Sequence, residues 1–464
     1  MTQPIRELSG PIVPSVPLPP TTPSAIDTVH DEMVNLSMKI FIIGSKERQQ
    51  ERDDKSKPLE EPTITPPNHS MLKLELVKRA LCAFAVVFNF NDSGDQVTAS
   101  MLGEEAQGIN TSRLVTVYVA KNRGTSTQND NLLHEKLSSY FNERGAEDIS
   151  PTDTRRIFEL CSRRIKADIR KYKHERLVSA KEAFGLWGKK FAPREKIATK
   201  IAQLLGSILK CYSTPNIVEK QIDMREIQKI GTWVKSNGKK LETTRQLLKV
   251  ADHFFKNANI DNPIGSLDLL EDLCRLPRAL EDLKSLKLEF IKHQARLSIY
   301  LVKPQHPSPH SIDTEMGEKF NQFERNNRGI QLPPPPKVHP DIHCEIQLLT
   351  HYHTLPPENQ SGMWRYIACS KLPCFCCYHT LAEESTFKTE KSHGKVYWPW
   401  PVPEKLVNLA RSQHNRLEMG NSGVAIALSA LSQKLGGRIE SARKTHSWKG
   451  AVKISEIPRG IHGI

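Results

Sequence analysis

Three of the nine cysteines fall within four positions, Cys374, Cys376 and Cys377, in the stretch SKLPCFCCYHTL. Such crowding has three physical outlets: a disulfide, a reactive redox pair, or a metal site. The last constrains the fold most, because further ligands must be brought in from elsewhere in the chain. The compartment narrows the choice. The opening residues, MTQPIRELSGPIVPSVPLPP, are proline-rich and lack an apolar run, so no signal peptide is expected. The longest apolar stretch, ALCAFAVVF at residues 80–88, is too short to span a bilayer. A cytoplasmic or nuclear protein with no membrane partner is expected. There, stable disulfides are rare, and clustered thiols more often bind metal or do chemistry.

Pro373 suits the first turn of a helix. Cys374 and Cys377 then stand at i and i+3 on one face, where two sulfurs can converge on one ion. Cys376 points elsewhere and reads as a packed thiol. Upstream lies HPDIHCEIQLLTHYHTLPP, in which Asp341 can cap a helix over residues 342–354, closed by Pro356 and Pro357. His343 and Glu345 fall in its first turn. They diverge along the helix flank, so a shared site receives both only beyond the helix end. MWRYIACS, between the two helices, reads as a buried strand. An ion held at such a shared site with one tetrahedral position left open would be a catalytic zinc. The alternative is a four-ligand structural zinc that recruits Cys376, Cys344 or His379, with Glu345 a surface acid.

His343-x-Glu345 followed by Pro373-Cys374-x-x-Cys377, with 28 residues between Glu345 and Cys374, resembles the signature of the zinc-dependent nucleobase deaminases. SKLPC is also similar to the Ser-x-x-Pro-Cys variant of polynucleotide cytidine deaminases. HCEIQLL, YIACSKLPCFCCYHTL and SHGKVYWPW together resemble a fungal and bacterial deaminase-like family of the cytidine deaminase-like superfamily. The resemblance covers about residues 337–403. It implies an α/β fold, a three-layer α/β/α core, with Zn2+ as cofactor on His343, Cys374 and Cys377. Glu345 would be the catalytic proton carrier. The reaction implied is hydrolysis at C4 of cytosine or C6 of adenine, releasing ammonia, in a nucleotide or single-stranded nucleic acid. Asn122 matches the asparagine that many relatives place against the sugar or base, although a turn asparagine before Arg-Gly also explains itself. Homo-oligomers are common in the superfamily, so self-association is among the implications.

That fold needs strands before its His-x-Glu helix, and the proline-rich residues just upstream supply none. AFAVVFNF, QVTASML and LVTVYVAKN would. The expected organisation is therefore a core split by a large all-α helical insertion. Residues 1–70 are mostly disordered, with local order at 34–43, because they bury too little apolar surface to offset chain entropy. Residues 71–125 hold the opening strands, 126–337 the helical insertion and a proline-rich linker, 338–410 the zinc-binding half, and 411–464 a C-terminal extension with one helix. Within the insertion, Asp153 reads as an N-cap, and Ile157, Cys161, Ile165, Ile169 and Tyr172 form one apolar stripe. The opposite face carries Arg155, Arg156, Arg163, Arg164, Lys166, Arg170 and Lys171. With a net charge of +14, such a face suits an anionic partner, or is simply a solvated surface.

His351, His353, His379 and His393 need no ligand, since histidines are commonplace on helix and loop surfaces. Trp364, Tyr397, Trp398 and Trp400 can stack a base, but packing against the core is expected of them. Two rival functions stay open at this point: a catalytically silent scaffold of the same fold, and a basic nucleic-acid binder with a structural zinc.

Overall fold

The computed structural model describes residues 64, 66–68, 70–90, 96–105, 113–122, 124, 127–143, 148–170, 172, 174–190, 196–212, 224–251, 255–256, 261–305, 341–383, 387–390, 392, 396, 400–414 and 423–444. Their centre is a mixed five-stranded sheet: β1 (Thr98–Glu105), β2 (Leu114–Lys121), β3 (Arg296–Leu301), β4 (Tyr366–Cys369) and β5 (Lys388–Thr389). The spatial order is β3-β2-β1-β4-β5. β1 runs antiparallel to both β2 and β4, whereas β2 with β3 and β4 with β5 are parallel.

Side-chain alternation sorts the two faces. Val115, Val117 and Val119 of β2, with Leu102, Tyr366 and Ala368, enter one core. Tyr118 and Ala120, with Ala99, Met101 and Ile367, enter the other. Burial on both faces explains why β2 and β4 are apolar almost without interruption.

The first core is built on α1 (Leu74–Phe88), whose Val77, Leu81, Phe84 and Phe88 are fully buried. Here the expected opening strand at AFAVVFNF is corrected to helix. A short apolar run with two valines fits a buried helix as well as a strand, and its surroundings decide. Ser100 of β1 donates to the Leu81 carbonyl at 2.7 Å, docking helix on sheet. The other two expected strands are β1 and β2. Glu104 then ties the ends together, accepting from Met71 N–H at 3.1 Å and the Trp364 indole at 2.7 Å. Gly362 is required beside it, because a Cβ there would collide with the Glu104 carbonyl oxygen.

From β2 the chain passes through α2 (Gln128–Asn142), α3 (Pro151–Leu160), α4 (Ser162–Arg170), α5 (His174–Lys190), α6 (Lys196–Tyr212), α7 (Met224–Ser236), α8 (Gly238–Val250) and α9 (Ile264–His293). Ile157, Cys161, Ile165 and Ile169 are buried as the apolar stripe requires. The helix is broken at Cys161, however, and its cap is Ser150, whose hydroxyl accepts Asp153 N–H at 3.0 Å. Asp153 thus sits in the first turn, behind Pro151, and not at the cap. On the exposed basic face, Arg155 and Arg156 both pair with Glu159.

Of residues 126–337, expected as an all-α insertion and linker, those described are helical only as far as His293. Residues Arg296–Leu301 return to the sheet as β3, parallel to β2. Six residues following a 30-residue helix carry too little periodicity to announce a strand. An exposed strand edge invites unwanted pairing, and α2 covers this one. Asn142 donates to the Leu297 carbonyl at 3.0 Å and accepts its N–H at 3.2 Å, while His134 Nε2 lies 3.1 Å from the Ile299 carbonyl. At the end of β2, the buried Lys121 pairs with Asp130 of α2 at 2.5 Å and lies 3.7 Å over the Phe90 ring. Burial pulls the lysine below its usual pKa, and the Asp130 carboxylate offsets part of that.

The second face of the sheet is covered by α10 (Cys344–Thr354) and α12 (Phe375–Glu383), separated in sequence by the short α11 (Pro357–Ser361) and β4. α13 (Glu404–His414) and α14 (Gly423–Lys444) pack behind them, with Leu406, Leu428, Leu431 and Leu435 in the same core. The segment at 34–43, residues 306–340 of the linker, His393, Tyr397 and Trp398 lie outside the described residues. Among the described residues, no helix is long and apolar enough to cross a membrane.

Candidate metal centre and active site

The two helix starts that carry the motif meet in space. α10 begins at Cys344, with His343 as its N-cap residue in extended backbone. The cap therefore falls two residues later than the expected Asp341. His343 makes no side-chain capping bond to its own helix. That task is performed from outside: the Asn122 carboxamide oxygen accepts the Cys344 N–H at 2.9 Å. Gln347 adds two bonds of 2.8 Å, donating to the carbonyls of Lys121 and Ile342. The end of β2 thus fixes the first turn of α10 and, with it, the imidazole. Asn122→Ala is expected to cost about 1 kcal/mol, the scale of a lost helix cap, seen as a lower thermal midpoint. Asn122→Asp keeps the acceptor oxygen and should retain most of that stability.

On the second helix, Pro373 lies just before the first turn, and not within it as expected. Cys374 takes the cap position, its sulfur accepting the Cys377 N–H at 3.3 Å. Nδ1 of His343 lies 3.3 Å from Cys377 Sγ and 3.5 Å from Cys374 Sγ. The three candidate ligand atoms all fall within 4.8 Å of one another. A tetrahedral ion with Zn–S of about 2.3 Å and Zn–N of about 2.0–2.1 Å has S···N edges of roughly 3.6 Å. The observed separations match that edge, and one imidazole with two sulfurs is a donor set that suits zinc. Among the described residues, no fourth His, Cys, Asp or Glu joins the group.

Electrostatics favour one thiolate even without an ion. Burial opposes charge on Cys374, but hydrogen bonds from Cys376 and Cys377 and the His343 imidazolium outweigh it and hold this thiol well below its ordinary value. Burial and the Cys374 thiolate together push Cys377 well above it. Burial alone would lower His343, yet the adjacent Cys374 thiolate raises it to about 9. A cation held there would take the place of the protons on His343 and Cys377, so its uptake would release them.

Glu345 is 3 % exposed and stands beside this group without belonging to it. The Cys344 thiol approaches its carboxylate at 3.4 Å. Burial raises the Glu345 carboxyl above its ordinary range, with His343 opposing and the Cys374 thiolate reinforcing the shift. A buried carboxyl with a raised pKa, next to a site for a cation, is suited to carrying a proton near neutral pH.

Residues 342–404 match the family model described as OTT_1508-like deaminase. The chain carries a deaminase-family domain. No curated protein and no solved structure matches the chain. The matched segment contains His343, Glu345, Cys374 and Cys377 at the starts of α10 and α12, and its strands β4 and β5 form one edge of the sheet.

The other candidates of the deaminase segment have local duties. Cys376 is fully buried in the core, and Cys344 turns to Glu345. His379 packs on Phe375 at 4.2 Å, with Lys434 Nζ 3.4 Å from its Nδ1. His351 stacks between Tyr300 and Tyr118, and burial, helped by Lys405, pushes it down to about 4. Ser370 of SKLPC exchanges hydrogen bonds with Thr98, extending the β1–β4 pairing. Two residues at the site were missed from sequence in these roles. Gln347 was hidden as an ordinary helix residue. Trp400, expected only to pack, donates its indole N–H to Cys377 Sγ at 3.2 Å.

Proposed function

We propose that this protein is a zinc-dependent hydrolase that replaces the amine of a nucleobase, cytosine or adenine, by a carbonyl and releases ammonia. The observation that carries the proposal is the approach of the His343 imidazole to the sulfurs of Cys374 and Cys377, within a segment that matches a deaminase family. His343, Cys374 and Cys377 would hold the ion. When bound, zinc supplies Lewis acidity and brings the pKa of a water from about 15.7 toward about 7. Glu345 takes the proton of the attacking water, gives it to the ring nitrogen, and assists the departing amine. The C–O bond forms first, with one water proton passed to the ring nitrogen; the amidine C–N bond then breaks as the second water proton passes to the amine, which leaves as ammonia.

The deaminase core in this proposal is the three-layer unit of α1, β1, β2, α10, β4, α12 and β5, and residues 128–301 are an insertion within it. That organisation is supported by the adjacency of β1 and β4, far apart in sequence, and by Asn122 and Gln347 joining the two halves. A nucleotide or single-stranded nucleic acid is the proposed substrate, in keeping with a net charge of +14. The test is mass-spectrometric screening of zinc-loaded protein against nucleosides, nucleotides and short DNA and RNA strands. A gain of about 1 Da per converted base is expected, the mass change of exchanging NH for O in the hydrolytic reaction. Turnover that is equal with a Glu345→Ala protein, or absent from every substrate, would defeat the proposal.

A further inference from the structure

The segment SHGKVYWPW grips the Cys helix from both of its ends. Near its start, the Ser392 hydroxyl donates to the Pro373 carbonyl at 3.0 Å, one residue before Cys374. At its far end, Trp400 is 3 % exposed and aims its indole N–H at Cys377 Sγ, 3.2 Å away. A buried indole N–H needs a partner, and many carbonyls would serve. Here the partner is a sulfur of the candidate metal site. Val402 and Leu406 anchor the residues that follow in the same core, so the ring is held in place from its C-terminal side.

We propose that Trp400 is a positioning residue for the metal centre, holding Cys377 Sγ in ligating position and drawing charge from that sulfur through its N–H. The proposal rests on His343, Cys374 and Cys377 forming a metal site. Partners that hydrogen-bond to ligands orient them and tune the electron density they give to the ion. A sulfur relieved of part of its charge donates less, which leaves the ion the stronger Lewis acid. Packing alone would use the ring face and leave the N–H without consequence for the metal.

Cobalt(II) substitution separates these roles, because sulfur-to-cobalt charge transfer in the near ultraviolet reports electron density on the ligating thiolates. Wild type, Trp400→Phe, and a protein with 3-benzothienylalanine at position 400 are loaded with cobalt. The last keeps the bicyclic shape and lacks the N–H, so it decides the matter if the phenylalanine variant folds poorly. Both changes should move the charge-transfer band to longer wavelength, as the sulfur regains charge, and should weaken cobalt binding, measured against a chelator, by about tenfold or more, because losing the hold on Cys377 Sγ outweighs the gain in donation. Folded variants with the wild-type band and affinity would overturn the role of Trp400 while leaving the metal site standing. A wild-type protein that shows no sulfur-to-cobalt band would overturn both.

Discussion

Glu345→Gln should lower deamination by about 10²–10⁴-fold, the usual contribution of a positioned proton carrier, while the protein keeps its zinc. The amide matches the carboxyl in shape but cannot cycle a proton. Because Glu345 is not one of the three clustered ligands, metal content by mass spectrometry should be unchanged. The same substitution has a second, opposite signature in the metal-free protein. Burial raises the folded-state pKa of Glu345, so the folded chain holds this proton more tightly than the unfolded chain. As pH rises through the ordinary carboxylate range, the unfolded state releases its proton first and is favoured, until the folded carboxyl ionises too. Metal-free Glu345→Gln should therefore melt above wild type at neutral pH. The difference should vanish below the ordinary carboxylate range, where both states are protonated. Thermal scans at several pH values check the sign. A variant that is slow because it is damaged would show the reverse, a lower melting point at every pH.

Cys377→Ala should abolish zinc retention, whereas Cys376→Ala, one residue away, should leave it intact. Both sulfurs are fully buried, so burial does not distinguish them. The distinction is position: Cys377 Sγ lies 3.3 Å from His343 Nδ1 within the three-ligand group, whereas Cys376 stays outside that group and hydrogen-bonds to Cys374. At free zinc 1,000-fold above its dissociation constant, the ion stabilises the fold by about 4 kcal/mol, and Cys377→Ala forfeits that. Cys376→Ala should cost only about 1 kcal/mol, the ordinary scale of a core truncation. Melting curves with and without chelator separate the two. The chelator should shift wild type and the Cys376 variant and leave the Cys377 variant where it was. Equal zinc loss from both would point to a sulfur-rich site of different make-up.

The cluster of His343, Cys374 and Cys377 was legible in the sequence because each half of it is local. Cys374 and Cys377 need only one helical turn between them to converge, and His343 with Glu345 lies at the start of another. What placed the two halves together was not legible. Asn122 and Cys344 are 222 residues apart in the chain, and no local pattern joins them. Similarly, nothing in SHGKVYWPW marks the Trp400 N–H as a partner for a sulfur 23 residues earlier. The strands β1 and β2 were evident from β-branched residues between turn signals. AFAVVFNF was not, because a fully buried helix and a buried strand share the same apolar run. β3 was concealed by its brevity and by the long helix before it. Both helix caps of the site fell one or two residues from where proline and aspartate suggested, since the capping groups are a distant asparagine and a cysteine sulfur.

Zinc-edge X-ray absorption of the zinc-loaded protein tests the central claim most directly. It should give two sulfurs at about 2.3 Å together with one imidazole nitrogen and one further light atom at about 2.0–2.1 Å, the last from solvent. A third sulfur in the coordination sphere, or a second imidazole, would contradict an ion held by His343, Cys374 and Cys377 with one position left for chemistry.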